Sequence, residues 1–328
     1  MRSGNGWVTC EQGHQHWGLF GAAGLLVYAP DPEDETGILV LVQHRAAWSH
    51  QGGTWALPGG AMDSDETPAE AALREADEEC MLDPKLVVPR AMYSEEHGGW
   101  AYHTIVAQAA EPFRVYSDSY ETDEALWLPP GQVDRLDLHP GFAASWPVLR
   151  EALSPLTVVV DGDGAGPGLG ARLADLTRTG LAALPGGLAV PGFVRWYPDY
   201  VLVLARGEGA RGEGASGEAG RAGDAVEAPP AGEAAPAGET GPARGPARYS
   251  WNQPLVVRTA EVRTVTADGR AQAAGVLAGL AGSTPGRRLV VSGRPEVRDR
   301  AAAAGAAVAG LSWLPGLDSG PAGGSNHS

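Results

Sequence analysis

G-G-T-W-A-L-P-G-G-A-M-D-S-D-E-T-P-A-E-A-A-L-R-E-A-D-E-E-C-M-L, residues Gly52 to Leu82, reads as a loop running into a helix. Thr67, Pro68 and Glu70 form the helix start. Thr67 can accept from the Glu70 amide, Glu70 can reach back to the Thr67 N–H, and Pro68 takes the first helical position. Ala69, Leu73, Ala76 and Cys80 then recur at helical spacing as one apolar stripe. Glu75, Glu78 and Glu79 stand three and four apart and gather on another face. Like charges gathered this way are unfavourable unless something neutralises them, and hard oxygen donors in one place suit Mg²⁺ or Mn²⁺. The ordinary alternative is a solvated acidic face.

The spacing upstream bears on that choice. Gly60, five residues, Glu66, seven residues, then Arg74-Glu75 and Glu78-Glu79 resembles the box of the Nudix hydrolases, G-x5-E-x7-R-E-U-x-E-E-x-G-U with U bulky and apolar. Gly60, Glu66, Arg74, Glu75, Glu78, Glu79 and Leu82 keep the pattern. Ala76 is small for its U position, and Met81 stands where the family has the glycine of a left-handed helix exit. The resemblance implies an αβα sandwich over residues 1–153. It also implies metal ligands at Glu75, Glu78, Glu79 and the Gly60 carbonyl, with Glu66 and Arg74 as a supporting pair that orients the ligand face.

Composition sets bounds on the rest. The 328 residues suffice for two domains of about 100–200 residues each. A formal net charge of −16 repels polyanions, so long nucleic acid is not the expected partner, whereas a small nucleotide carried with its metal is. Cys10 and Cys80 are the only cysteines, and one lies in the acidic helix, which predicts free thiols in a reducing cytoplasm. The chain opens with no basic-then-apolar segment and contains no apolar run of about 18 residues, so neither a leader nor a membrane partner is expected.

In chain order, Cys10, His14 and His16 have a spacing that hints at zinc. A structural zinc site needs a fourth ligand, the second Cys/His pair is missing, and histidines beside Trp17 also suit ordinary packing at a strand start. Phe20–Tyr28 and Ile38–Val42 read as buried strands joined by a surface turn. Arg45 ends the second of these at the expected site entrance, where it could grip a phosphate. Leu86–Tyr93 and Trp100–Ala107 read as a strand pair. They flank a Gly98-Gly99 loop in which His97 reads either as a base or substrate contact or as part of a polar hairpin tip. Trp100 and Tyr102 could stack on a nucleobase or simply pack. Glu121 and Glu124 precede a Trp-Leu-Pro segment, where many Nudix proteins carry a further acid. Glu121 is the first choice for that outlying ligand or base, and Glu124 the second. His139–Leu153 reads as a closing helix.

The second half, residues 154–206 and 249–316, alternates strands and helices, which predicts a smaller parallel α/β domain. Strands are expected at Leu156–Asp163, Tyr200–Arg206, Leu289–Ser292 and Ala307–Leu311, with a further apolar piece at 255–258. This half weakly resembles a degenerate PIN/NYN-like domain through Asp161 and Asp163, with Asp268 a further acid. Arg294 stands where that group has a metal-binding aspartate, which argues against two-metal cleavage of RNA. Residues 207–248 are Gly, Ala, Glu, Pro and Arg with almost no large apolar side chain and predict a disordered insertion. Residues 317–328 predict a flexible tail.

The function implied by the resemblance is metal-dependent hydrolysis of the pyrophosphate linkage in a nucleoside diphosphate joined to another group. Glu79, Glu78 and Glu121 would be the catalytic acids, and Arg45, Arg74 and Glu66 would position the ligand. The runner-up is a nucleotide-sensing module that binds and hardly hydrolyses, motivated by Ala76 and Met81. The resemblance also allows a homodimer.

Overall fold

The structure is a computed structural model that describes residues 2–116, 120–166, 168–185, 187–206, 260–283 and 286–315. The expected insertion at 207–248, the apolar piece at 255–258 and the tail at 317–328 lie outside the described residues. A small antiparallel hairpin of β1 (Trp7–Thr9) and β2 (Gln15–Trp17) opens the fold. An eight-stranded mixed sheet follows, built from β3 (Ala22–Asp31), β4 (Asp34–Arg45), β5 (Trp55–Ala56), β6 (Gly59–Ala61), β7 (Val87–Glu96), β8 (Ala101–Ala109), β9 (Thr122–Leu128) and one later strand. β3 pairs parallel with β8 and antiparallel with β4 and β6. The charged segment expected as a turn between the first two strands is largely strand, because backbone pairing continues to Asp31↔Asp34 regardless of side-chain polarity.

β3 sits in the middle and is covered on both faces. Ala23, Leu25, Val27 and Ala29 face helix α1 (Pro68–Cys80) through Ala71, Ala72, Leu73 and Ala76. Leu26 and Tyr28 point the other way, toward Phe142, Trp146 and Leu149, which follow the short α2 (Pro130–Val133) on helix α3 (Pro140–Leu149). The period-2 alternation therefore feeds two apolar layers, and the strand reads as one continuous apolar run. The outcome is the αβα sandwich that the box implied.

The second half builds a five-stranded, all-parallel sheet. Its strands are β10 (Leu156–Asp161), β12 (Asp199–Arg206), β13 (Val262–Asp268), β14 (Arg287–Val291) and β15 (Ala307–Ala309), with helix α4 (Leu169–Thr179) on one face. α5 (Arg270–Ser283) and α6 (Pro295–Ala303) cover the other. The order across the sheet is β13-β12-β10-β14-β15. β11 (Phe193–Trp196) does not join it. It pairs antiparallel with β7 and becomes an edge of the first sheet, although it lies past residue 153. Val158 and Val160 on β10 and Leu173 on α4 share one apolar cluster with Leu26, Val42 and Trp146, so the two sheets enclose a common core. Arg90 on β7 also donates to Asp199 at the start of β12, at 2.9 Å.

Both ends of α1 match its sequence. Thr67 Oγ1 accepts from the Glu70 amide, and the Glu70 carboxylate accepts from the Thr67 amide at 2.8 Å, forming the capping box. At the other end Met81 adopts φ 54° and ψ 36°, and the Met81 and Leu82 amides close on Asp77 and Ala76. This is the left-handed exit that the family's glycine serves, made here by a residue with a Cβ. Holding an L-residue there costs about 1 kcal/mol. Met81→Gly should therefore raise the unfolding free energy by about 0.5–1 kcal/mol after the added flexibility of the unfolded chain, read from urea denaturation at unchanged m value.

Candidate active site

β4, β6 and α1 position the acidic residues. Gly60 lies on β6 opposite Ala23 of β3, directly beneath the Glu75 carboxyl. A Cβ on Gly60 would sit 2.6 Å from Glu75 Cδ, so a larger residue would displace the carboxylate. Arg74 gathers the surrounding acids. Its Nε and Nη2 donate to the two Glu66 oxygens at 2.6 and 2.9 Å. Its Nη1 donates to Glu75 at 2.8 Å and to Glu78 at 3.3 Å, and Nη2 also reaches the Ala61 carbonyl. Glu66 in turn accepts from the Asp63 amide at 2.9 Å, fixing the loop that precedes the helix.

Glu79 is buried on the sheet side of the helix. It accepts from the Gly59 amide at 2.8 Å and from Gln43 Nε2 at 2.9 Å. Burial pushes its carboxyl up to about 8, opposed by the Gly59 hydrogen bond, raised by Glu75 and lowered by Gln43 and Arg45. Burial likewise pushes Glu75 up to about 7 against the pull of Arg74. Two desolvated carboxyls side by side are costly to ionise together, and a bound cation would relieve that cost. The donors are all oxygens, which fits a hard divalent ion.

The sequence placed Gln43, with His44 and Arg45, at the end of the second strand by the site entrance and gave it no role. Gln43 is fully buried on β4, its amide NH₂ donates to Glu79, and its Oε1 accepts from Thr122 Oγ1 at 2.9 Å. The available signal was a polar residue continuing the apolar Ile38–Val42 run, which suggests a buried polar side chain with partners to find. Arg45, two residues on, donates to the His50 carbonyl at 3.2 Å and lies near enough to Glu79 to lower its carboxyl pKa.

Glu121 sits in the turn entering β9, next to Thr122, and its carbonyl accepts from Ala46 N. Glu124 pairs across the ladder with His44 rather than Gln43. Strand alternation therefore turns it away from α1. Trp100 is engaged elsewhere: it stacks on His16 at 4.1 Å, and its Nε1 donates to the Gly18 carbonyl. His97 packs against the same two rings.

The acids of the second sheet are tied up. Asp161 is buried at the end of β10, where its carboxylate accepts from Ser292 Oγ at 2.6 Å, Arg294 Nε at 2.8 Å and the Asp163 amide at 3.1 Å. Arg270 lies 3.1 Å from Asp163. Asp268 is exposed, 3.7 Å from Arg206. Arg294 thus supplies the countercharge that a metal would otherwise supply.

The sandwich thus groups the buried Glu79 and the half-buried Glu75 over the glycines of β6. A family model described as NUDIX domain matches residues 19–151. A Mycobacterium tuberculosis (strain ATCC 25618 / H37Rv) protein described as putative 8-oxo-dGTP diphosphatase 3 is 48% identical over 161 residues, spanning 47% of this chain and 72% of that relative. A nucleoside triphosphate pyrophosphatase/Nudix hydrolase fusion protein of Bifidobacterium longum (strain NCC 2705) is 39% identical over 155 residues, spanning 47% of this chain and 32% of that protein. The crystal structure of a Nudix hydrolase from M. smegmatis, RenU, is 49% identical and covers 45% of this chain and 94% of that one, with a TM-score of 0.43. The chain belongs to the Nudix family and is a pyrophosphohydrolase of that type. Nudix hydrolases generally use divalent metal ions and act on small nucleotide substrates. The family match ends at 151, so the PIN/NYN likeness of the second half gains no support from it. Among the described residues, no helix is long and apolar enough to cross a membrane.

Gln43 yields a prediction. Gln43→Leu removes a donor to Glu79 and an acceptor for Thr122 inside the core. It should destabilise the fold by about 2 kcal/mol in urea denaturation. A change within about 0.5 kcal/mol would show that the Gln43 contact does not support the buried carboxyl.

Proposed function

We propose that residues 1–153 catalyse metal-dependent hydrolysis of the pyrophosphate linkage of a nucleoside diphosphate joined to another group. The observation that carries this reading is the buried Glu79 beside the half-buried Glu75 at Gly59 and Gly60, both partly desolvated, with the one guanidinium at Glu75 shared with Glu66 and Glu78. In this reading Glu75, Glu78, Glu79, the Gly60 carbonyl and Glu121 hold Mg²⁺ or Mn²⁺. A divalent ion, once bound there, would supply a Lewis acid that polarises the phosphate and lowers the pKa of a water. Glu79, held in one orientation by Gln43 and the Gly59 amide, and Glu78 or Glu121 at the open side, take up the proton that water loses. Oxygen attack on one phosphorus breaks the bridging P–O bond and releases two phosphorylated products. Arg74 acts at one remove, keeping Glu66, Glu75 and Glu78 in register, and Arg45 faces the substrate.

The relatives described as 8-oxo-dGTP diphosphatases favour a nucleotide whose second moiety is phosphate, an oxidised deoxyguanosine triphosphate among them. The described residues of the second half are best read as a buttress. They supply edge strand β11 and one wall of the shared core, and their acids are neutralised by Arg294 and Arg270. The departures that motivate a sensor reading leave α1 continuous: Ala76 is fully buried in the packed face and Met81 forms the helix exit. The cytoplasm and a homodimer remain part of this proposal as the sequence suggested them.

The test is product release from a panel of nucleoside-diphosphate derivatives, 8-oxo-dGTP and dGTP included, with Mg²⁺, with Mn²⁺ and with chelator. We expect metal-dependent turnover of at least one compound. Glu79→Gln should lower kcat by about 10²–10³-fold while the thermal transition stays close to that of the parent chain. Tight nucleotide binding without turnover at millimolar metal would favour the sensor, and unaltered turnover in Glu79→Gln would remove Glu79 from the chemistry.

A further inference from the structure

Away from the glutamates, the β1–β2 hairpin collects soft ligands. Its register pairs Thr9 with Gln15, and the Cys10 amide donates to the His14 carbonyl at 2.9 Å, which sets Cys10 across from His14. His16 lies two residues further along β2 and so shares the face of His14. The ligand atoms that Cys10, His14 and His16 offer all lie within 4.8 Å of one another. Around a tetrahedral zinc, with Zn–S of about 2.3 Å and Zn–N of about 2.0 Å, these separations would be about 3.3–3.6 Å. His14, the exposed member of the three, is free to turn its ring toward the other two.

Two observations point to a missing ligand. His16 Nε2 is shut off from solvent and has no hydrogen-bond partner. An imidazole nitrogen left that way is costly, and a bound ion is one of the few things that satisfies it. The ring itself is held: Trp100 stacks on it at 4.1 Å and 12°, anchored by its own bond to Gly18. The second observation concerns the fourth ligand that the sequence lacked. His97, at the tip of the β7–β8 hairpin, places its ring 4.7 Å from His16. That tip is tied to the same turn, because the Glu11 amide donates to the Gly98 carbonyl at 2.9 Å.

We propose that Cys10, His14 and His16 bind a zinc-class divalent ion, with His97 from the neighbouring hairpin facing the fourth position. A thiolate with imidazoles selects borderline-soft ions such as Zn²⁺ or Co²⁺ over the hard ions suited to the glutamates. The site joins β1–β2, which ends at Trp17, to the β7–β8 hairpin, which begins at Val87, and so acts as a structural clamp beside the sandwich.

The test is titration of the reduced, metal-stripped full chain with Co²⁺ in excess Mg²⁺, which fills the carboxylate cluster. We expect one equivalent to bind with a thiolate-to-cobalt charge-transfer band and tetrahedral d–d absorption, both displaced by Zn²⁺. Cys10→Ser should abolish the charge-transfer band, and His14→Asn, at an exposed position, should weaken binding by about 100-fold. Both variants should retain the Mg²⁺-supported hydrolysis of the parent, which shows that they fold. Cys80 provides the control, since its thiol is buried in the core beneath α1. Absence of a charge-transfer band in the folded parent chain, or a band that survives Cys10→Ser, would overturn the site.

Discussion

The carboxylates of Glu66, Glu75 and Glu78 converge on one guanidinium, that of Arg74, while Glu79 lies behind them, held only by neutral donors. That imbalance constrains everything around it. Acids brought this close under partial burial must be compensated by hydrogen bonds, by a cation, or by taking up protons. Arg74 and the Gly59 amide provide part of the compensation, and the elevated carboxyl pKa of Glu75 and Glu79 measures what they leave undone. Gly60 follows from the same demand, since the helix can bring the Glu75 carboxylate onto the β6 backbone only where no Cβ intervenes, whereas a Cβ on Gly59 would meet the backbone of β3 at Ala23 and Gly24.

Burying Glu79 requires a firm platform. β3 is sealed by α1 on one face and by α3 with the second sheet on the other, so its residues reach nearly zero exposure along most of its length. The second half takes part in that seal. β11 extends the first sheet, and the shared core runs from Leu26 to Leu289 and Val291 on β14. A platform packed on both sides resists the local opening that would let water reach the Gln43–Glu79 bond.

The two acid clusters show how the same charge problem can be met in opposite ways. At Asp161 an arginine and a serine hydroxyl saturate the carboxylate in place, leaving a closed ion pair at the carboxyl end of a parallel sheet. At Glu75 and Glu79 the available guanidinium is shared with Glu66 and Glu78, so the pair stays undercompensated. That difference is why the proposed ligand site is the second of these and not the first.

By itself the sequence determined the helix and its capping box, because these depend on residues three apart along one chain segment, while the left-handed exit at Met81, in place of the family's glycine, was decided by the structure. It also determined which acids share a helical face and which strands alternate with helices. The antiparallel addition of β11 to β7, the Gln43 support for Glu79, and the meeting of His97 with His16 were decided only by tertiary structure. Each joins segments tens of residues apart, and local periodicity carries no information about which distant strands become neighbours. The facing of Glu124 was of the same kind: its pairing with His44, beside a register shift between His44 and Arg45, sets the face that its side chain occupies without changing the sequence pattern.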